Sequence, residues 1–263
     1  MKVNKKHIAI QTKDLSIGYA SKKKTTLISE GINFSIKQGE LVSLVGTNGI
    51  GKSTLLRTLA GMQPLLNGSI SINRNLLNNI SALDLANDLS VVLTETPASQ
   101  NLSVLELVSL GRHPYTNWIG SISESDQVII NSAISATKIE DLLNYKCYEL
   151  SDGQLQKVLI ARALTQDTPL ILLDEPTTHL DIFHRASVLK LLKKLASENG
   201  KTILFSTHEI DLAIQLSYKM IVMTKDKVFF DTPDNLIKQG CFDNLFPMDS
   251  IEFNRELKRF VLK

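Results

Sequence analysis

Gly46-Thr47-Asn48-Gly49-Ile50-Gly51-Lys52-Ser53 sets glycines, a lysine and a hydroxyl at the spacing GxxxxGK[ST]. Glycines at 46, 49 and 51 let successive backbone N–H groups turn inward on phosphate oxygens, because no Cβ blocks the angles or the close approach. A helix opening near Lys52 adds its positive N-terminal end to the same cradle. Lys52 can then neutralise the β and γ phosphates of a nucleoside triphosphate, and the Ser53 hydroxyl can ligate Mg²⁺. Asn48 and Thr54 belong to the same nucleotide-binding stretch. Read as structure alone, the segment is a glycine-rich turn before an amphipathic helix, which explains the glycines but not Lys-Ser at that offset. By chance such a match arises in roughly one chain in a hundred of this length.

A second chemical feature lies downstream. Leu170-Ile171-Leu172-Leu173 is an apolar run that ends in Asp174-Glu175-Pro176, so two carboxylates emerge at the carboxyl end of a strand, the edge at which doubly wound sheets bind ligands. Asp174 is placed to hold Mg²⁺ through a water, and Glu175 to orient or deprotonate the water that attacks the γ phosphate. Alone, Asp-Glu after four apolar residues is weak evidence, since strands often end in charged turns. Beside a phosphate cradle it is strong.

These residues require particular elements. Leu41 to Val45 is almost continuously apolar and leads through the glycines into Lys52 to Ala60, with Gly61 as terminator: a strand, a loop and a helix. Short strands are expected at Leu15 to Tyr19, Ile32 to Ile36, Ser69 to Ile72 and Leu89 to Leu93. Ser103 with Glu106 and Ser123 with Asp126 read as helix-opening caps, and the second helix is expected to continue through Ile139 to Leu143. Residues from about 96 to 165 therefore read as a mainly helical insertion. Strands return at Leu170 to Leu173, Thr202 to Ser206 and Met220 to Met223, with a helix over Ile182 to Ser197, which implies a mostly parallel, doubly wound sheet. From about Asp231, with Pro233, Gly240 and Pro247, a small irregular appendix is expected.

Composition sets outer bounds. In 263 residues, 43% are hydrophobic and 21% charged, ordinary for a globular chain and against disorder or a fibrous repeat. With 29 basic and 27 acidic residues the net charge is +2, which does not suggest a general nucleic-acid binder. Lys22 to Lys24 reads as a solvated loop. No apolar run reaches the ~18 residues of a membrane span, and the first residues lack a signal-peptide pattern, so a soluble, cytoplasmic chain is expected. Cys147 and Cys241 form no CxxC pair, which argues against a disulfide framework or zinc site.

Leu150-Ser151-Asp152-Gly153-Gln154 completes a pattern. Over nearly its full length the chain resembles the nucleotide-binding subunits of ABC transporters, whose LSGGQ signature appears here with Asp for the first Gly. The resemblance implies an α/β P-loop NTPase with a mostly parallel sheet, an N-terminal antiparallel β subdomain and an inserted helical subdomain. It implies one ATPase domain over 1–240, with 1–95 and 166–240 as core and 96–165 as helical subdomain, followed by an appendix over 241–263. Ser151, Gly153 and Gln154 open a helix whose amides form a second anion site. In the family this site closes on the γ phosphate held by the other subunit, so a homodimer is implied. Tyr19 resembles the aromatic that stacks on adenine, Asp181 in Thr177 to Asp181 the D-loop aspartate, and His208 the switch histidine. At the Q-loop glutamine position stands Glu95, which could reach Mg²⁺ or its water, or be a loop residue only.

Gly111-Arg112-His113-Pro114-Tyr115 and Thr177-Thr178-His179-Leu180-Asp181 resemble segments of the subunits serving ferric siderophore, haem and cobalamin importers, although the first could equally be a helix C-cap and Pro turn. ATP and Mg²⁺ are the implied cofactors. Membrane permease subunits and a substrate-binding protein are the implied partners, with no nucleic acid and no direct cargo contact. A peripheral place on the cytoplasmic face of the cell membrane follows. The alternatives are an ABC subunit of another transport branch and a soluble ABC ATPase of the cluster-assembly type. Glu95→Gln is expected to preserve ATP turnover; complete inactivation in a steady-state assay gives Glu95 a role beyond metal contact.

Overall fold

The computed structural model describes residues 7–21, 24–93, 101–116, 120–243, 245–246 and 251–263. Strands β1 (Ile8–Ala20) and β2 (Thr25–Lys37) lead into β3 (Leu41–Gly46), the glycine loop and α1 (Lys52–Leu59). Next come β4 (Asn67–Ile72), β5 (Asn75–Leu76), α2 (Ala82–Asp88) and β6 (Leu89–Val92). Three helices follow: α3 (Val104–Ser109), α4 (Glu124–Thr137) and α5 (Asp152–Thr165). The chain then alternates β7 (Leu170–Leu173), α6 (Ile182–Ser197), β8 (Thr202–Ser206), α7 (Ile210–Leu216) and β9 (Lys219–Met223). It ends with β10 (Val228–Asp231), α8 (Pro233–Lys238), β11 (Ile251–Asn254) and β12 (Arg259–Leu262).

The central sheet has the order β10-β9-β3-β8-β7-β6. All its pairings are parallel except β9 with β10. Strands β3, β7 and β8 are buried at every residue, as parallel strands covered on both faces must be. Each fully buried Leu or Ile there contributes on the order of 2 kcal/mol. One face packs against α1 and a separate antiparallel sheet of order β2-β1-β4-β5, through Ile10, Ile17, Phe34, Leu55 and Leu59. The other packs against α5 and α6, through Ile160, Leu164, Val188 and Leu192. Helices α3, α4 and α5 enclose an apolar cluster of their own, with Val104, Ile130, Ile134 and Val158.

The expected caps are present. Ser103 with Glu106, Ser123 with Asp126, and Ser151 with Gln154 each form a reciprocal capping box. Three expectations change. Strands β1 and β2 run 13 residues each, far beyond their apolar stretches, because antiparallel pairing continues across a bulge between Thr12 and Leu15. Helix α4 stops at Thr137, where Lys138 takes a left-handed C-cap at φ 55°; Ile139 is buried after the helix, so its apolar character reflects the turn's packing rather than helical periodicity. The C-terminal stretch is not irregular. Pro233 begins α8 at a position where its fixed φ suits a helix, and β11 pairs with β12 as a hairpin that stacks Phe253 on Phe242 in an apolar cluster that includes Ile214. Pro247, Lys22 and Lys23 lie outside the described residues.

Arg112 ties the segment after α3 to its neighbours. Its Nε lies 2.7 Å from the Asp126 carboxylate and its Nη1 donates to the Thr165 carbonyl at 3.1 Å, with both charged residues buried. Tyr115 stacks beneath the guanidinium at 3.9 Å. The Ser123 hydroxyl and amide, then Arg112, hold the Asp126 carboxyl down to about 2. A depressed carboxyl pKa contributes stability that is fully present above the unfolded value of 3.8 and is lost as pH falls toward about 2. Arg112→Ala leaves a buried carboxylate without its cation and is expected to lower stability by about 3 kcal/mol in urea melts at pH 7. The gap between wild type and variant should narrow below pH ~4.

Candidate functional site

The loop after β3 and the segments after β7 and β8 meet at the carboxyl edge of the central sheet, flanked by β1 and β2. The loop between β3 and α1 supplies Asn48, Gly49, Gly51, Lys52, Ser53 and Thr54 to a cleft of about 520 Å³ also lined by Tyr19, Ile28, Glu175 and His208. Gly51 has φ 111°, and a Cβ there would lie 2.4 Å from Ile28 Cγ2, so only glycine fits. No side chain caps α1. The amides of Lys52, Ser53 and Thr54 therefore have no acceptor among the described residues, which is the arrangement an anion satisfies.

The Lys52 side chain is buried. Its ammonium donates to the carbonyls of Gly46 at 3.1 Å and Thr47 at 3.2 Å, and sits 3.9 Å from Glu175 Oε1. Burial lowers the ammonium's pKa, with the negative charges of Glu175 and Asp174 opposing that shift. On the far side of the cleft, His208 Nε2 lies 2.5 Å from the same Glu175 oxygen. Glu175 adopts φ 49°, an uncommon backbone state for a residue with a side chain. It is held by Thr178 Oγ1, which donates to Oε2 at 3.1 Å, and by its own amide, which donates to Ser206 Oγ at 2.8 Å. Ser206 Oγ in turn donates to Asp174 Oδ1 at 2.7 Å. One hydroxyl at the end of β8 thus orients both consecutive acidic residues at the end of β7.

Tyr19 lies near the end of β1, 55% exposed, and its hydroxyl is 3.1 Å from Thr54 Oγ1. Its ring is thereby fixed beside the cleft. The remaining expected residues lie elsewhere in this chain. Ser151, Gly153 and Gln154 open α5 and do not line the cleft. Ser151 Oγ accepts from Gln154 N at 3.3 Å, and Gln154 Oε1 accepts from Ser151 N at 2.9 Å. Asp181 caps α6, accepting from His184 N at 2.8 Å and contacting His184 Nδ1 at 2.9 Å, contacts that lower its carboxyl pKa. Glu95 lies outside the described residues. Sequence reasoning missed Ser206 and Thr178 as orienting groups and Ile28 as cleft lining. Neither Ser206, a serine at the end of a buried strand whose acidic partners lie on the neighbouring strand, nor Ile28 carried a local signal.

Hard oxygen donors suit Mg²⁺, and the Ser53 hydroxyl at the cleft and the Asp174 carboxylate at the end of β7 are of that kind. No group of three or more His, Cys, Asp or Glu that could hold a metal occurs among the described residues. Mg²⁺ is commonly bound through one or two protein oxygens, with phosphate and water completing its shell.

A parallel sheet with a glycine loop, a buried lysine and an acidic pair at one edge defines a P-loop nucleoside triphosphatase fold. Residues 29–178, more than half of the chain, match the family described as ABC transporter. The chain belongs to the ABC transporter family, as an ATP-binding subunit that hydrolyses ATP. The iron(3+)-hydroxamate import ATP-binding protein FhuC of Bacillus subtilis is 37% identical over 88% of this chain and 87% of its own length. A solved inward-facing ABC transporter assigned to the metal-chelate type superposes with a TM-score of 0.79 at 28% identity, over 91% of this chain and 89% of that one. An ATP-binding cassette solved as a dimer in a post-hydrolysis state with ADP and phosphate gives 0.74 at 28% identity, over 85% and 98%. No helix among the described residues is long and apolar enough to cross a membrane.

Ser206→Ala removes a donor from the buried Asp174 carboxylate and an acceptor from the Glu175 amide. It is expected to cost about 1–3 kcal/mol of stability by denaturant titration and to lower ATP turnover without abolishing nucleotide binding. Unchanged turnover removes Ser206 as an orienting group.

Proposed function

We propose that this subunit powers import of an iron chelate, siderophore or haem, or of cobalamin, by hydrolysing ATP at two sites formed across a homodimer. The observation that carries the hydrolytic part is the convergence of Lys52, Ser53, Glu175 and His208 on one cleft beneath an uncapped helix. The cargo class is supported by relatives named for hydroxamate, achromobactin, petrobactin and cobalamin systems. The domain division follows the sequence reading: a single ATPase domain over 1–240, the helical subdomain over 96–165 and an appendix over 241–263.

Roles follow from the chemistry. The glycine loop, with Gly46, Asn48, Gly49, Gly51 and Thr54, binds the phosphates, and Tyr19 stacks on adenine. Lys52 leaves the Gly46 and Thr47 carbonyls for phosphate oxygens, which compete well for a desolvated ammonium. Ser53 and Asp174, with Glu95 as a further donor, would hold Mg²⁺. When bound, Mg²⁺ neutralises charge on the phosphates. Glu175 accepts a proton from the attacking water as the new oxygen–phosphorus bond forms and the bond to the β-bridging oxygen breaks, giving ADP and phosphate. His208 contacts the γ phosphate and keeps Glu175 in place. Ser151, Gly153, Gln154 and Asp181 serve the partner copy's nucleotide, consistent with their distance from this chain's own cleft lining. Permease subunits and a substrate-binding protein complete the assembly at the cytoplasmic face of the membrane, and this subunit does not touch cargo.

Lys52→Ala is expected to abolish tight ATP binding in a fluorescent-nucleotide titration, and unchanged affinity removes the phosphate assignment. Glu175→Gln should retain binding, lose turnover by roughly a hundredfold or more, and accumulate an ATP-bound dimer on size exclusion; near-normal hydrolysis excludes Glu175 as base. Affinity purification from membranes should recover a many-helix permease, and a membrane-free soluble assembly contradicts the transport role.

A further inference from the structure

Arg185 stands in the first turn of α6, and its guanidinium reaches two loops at once. Nη1 lies 2.7 Å from the Glu209 carboxylate, and Nη2 donates to the Leu180 carbonyl at 3.0 Å. Glu209 directly follows His208 in a tight turn. Its amide donates to Thr207 Oγ1 at 3.0 Å, and the Ile210 amide donates to the His208 carbonyl at 3.0 Å. The Glu209 side chain is therefore a handle by which the turn carrying His208 is fastened to α6. Arg185 Nε is buried with no hydrogen-bond partner. A partly exposed ion pair adds little to stability, and an unsatisfied buried donor subtracts from it, so stability alone does not account for this arrangement. Placement does.

We propose that Arg185 is a positioning residue for ATP hydrolysis: through Glu209 it sets the turn that presents His208 Nε2 to Glu175. The inference rests on the reading of the cleft as the hydrolytic site. The same helical turn carries His184, whose ring covers the start of α5: a Cβ on Gly153 would lie 2.6 Å from His184 Cδ2. The turn bearing His208 and the helix bearing Ser151 are thus both referenced to one turn of α6.

The test is steady-state ATPase kinetics on the full chain, with kcat and KM resolved, for Arg185→Ala, Glu209→Ala, their double variant and the swap Arg185→Glu/Glu209→Arg. Each single variant should lower kcat about tenfold while KM for ATP changes less than about twofold, because the handle orients a group without holding the nucleotide. The double variant should lose no more than either single one, and the swap should recover much of the loss. Additive losses near a hundredfold, wild-type kcat in the single variants, or an effect confined to KM overturns the proposal. Wild-type protein that neither binds nor turns over ATP and Mg²⁺ defeats the hydrolytic reading instead, and an active wild type with an indifferent Arg185 defeats this inference alone.

Discussion

A lysine ammonium buried under a glycine loop must be met by oxygen, and much of the site's architecture follows from that. Leaving such a charge unpaired in the interior costs several kcal/mol. Lys52 meets the requirement partly within its own loop, through the Gly46 and Thr47 carbonyls, and partly from Glu175 at 3.9 Å. Glu175 follows β7, which is separated from β3 by β8. A carboxylate from a strand two places away reaches the loop because parallel strands deliver their carboxyl ends to one edge. The strand between contributes the Ser206 hydroxyl that fixes both acidic residues. The neighbours that retain Lys52 as a cation are therefore the ones the cleft needs for chemistry.

What could be read from the sequence divides by range. The glycine loop is contiguous, the apolar runs of β3, β7 and β8 are nearly uniform, and α6 was legible because Val188, Leu189, Leu192, Leu195 and Ala196 recur at helical spacing. The capping boxes at Ser103 with Glu106 and Ser123 with Asp126 are four-residue patterns and were equally visible. Contacts that span the sheet were not. Ser206 meets Asp174 across 32 residues of chain, and nothing local marks a serine at a strand end as one that will face a carboxylate. Ion pairs such as Arg112–Asp126 and Arg185–Glu209 join segments whose adjacency only the topology determines. The end of α4 was misjudged for a related reason: Ile139 is apolar because it packs beneath a turn, and burial in a turn mimics helical periodicity.

The division of the site residues between two places is itself informative. One copy gathers phosphate-binding and acidic groups in its cleft, while Ser151 and Gly153 sit at the start of a different helix, away from that lining. A helix N-terminus with uncommitted amides suits an anion that its own chain does not bring to it. A symmetric pairing supplies such an anion twice, because each copy offers both halves and receives both.

Asp152 adds a charge to that balance. It occupies the exposed first turn of α5, where a carboxylate interacts favourably with the helix macrodipole by about 0.3–1 kcal/mol. Close to an approaching triphosphate, the same charge is repulsive. In water, two like charges cost only about 1 kcal/mol at 4 Å and less at greater separation, so the penalty is comparable to the gain while solvent remains between them. The two effects diverge as an interface dries, since repulsion rises steeply in lower dielectric. The amides of Asp152 and Gly153 have no acceptor among the described residues, which leaves backbone donors to offset the side chain. In the dimer proposed above, an aspartate here would stabilise the free subunit and weaken the closed state in proportion to how completely water is expelled from the closing surface.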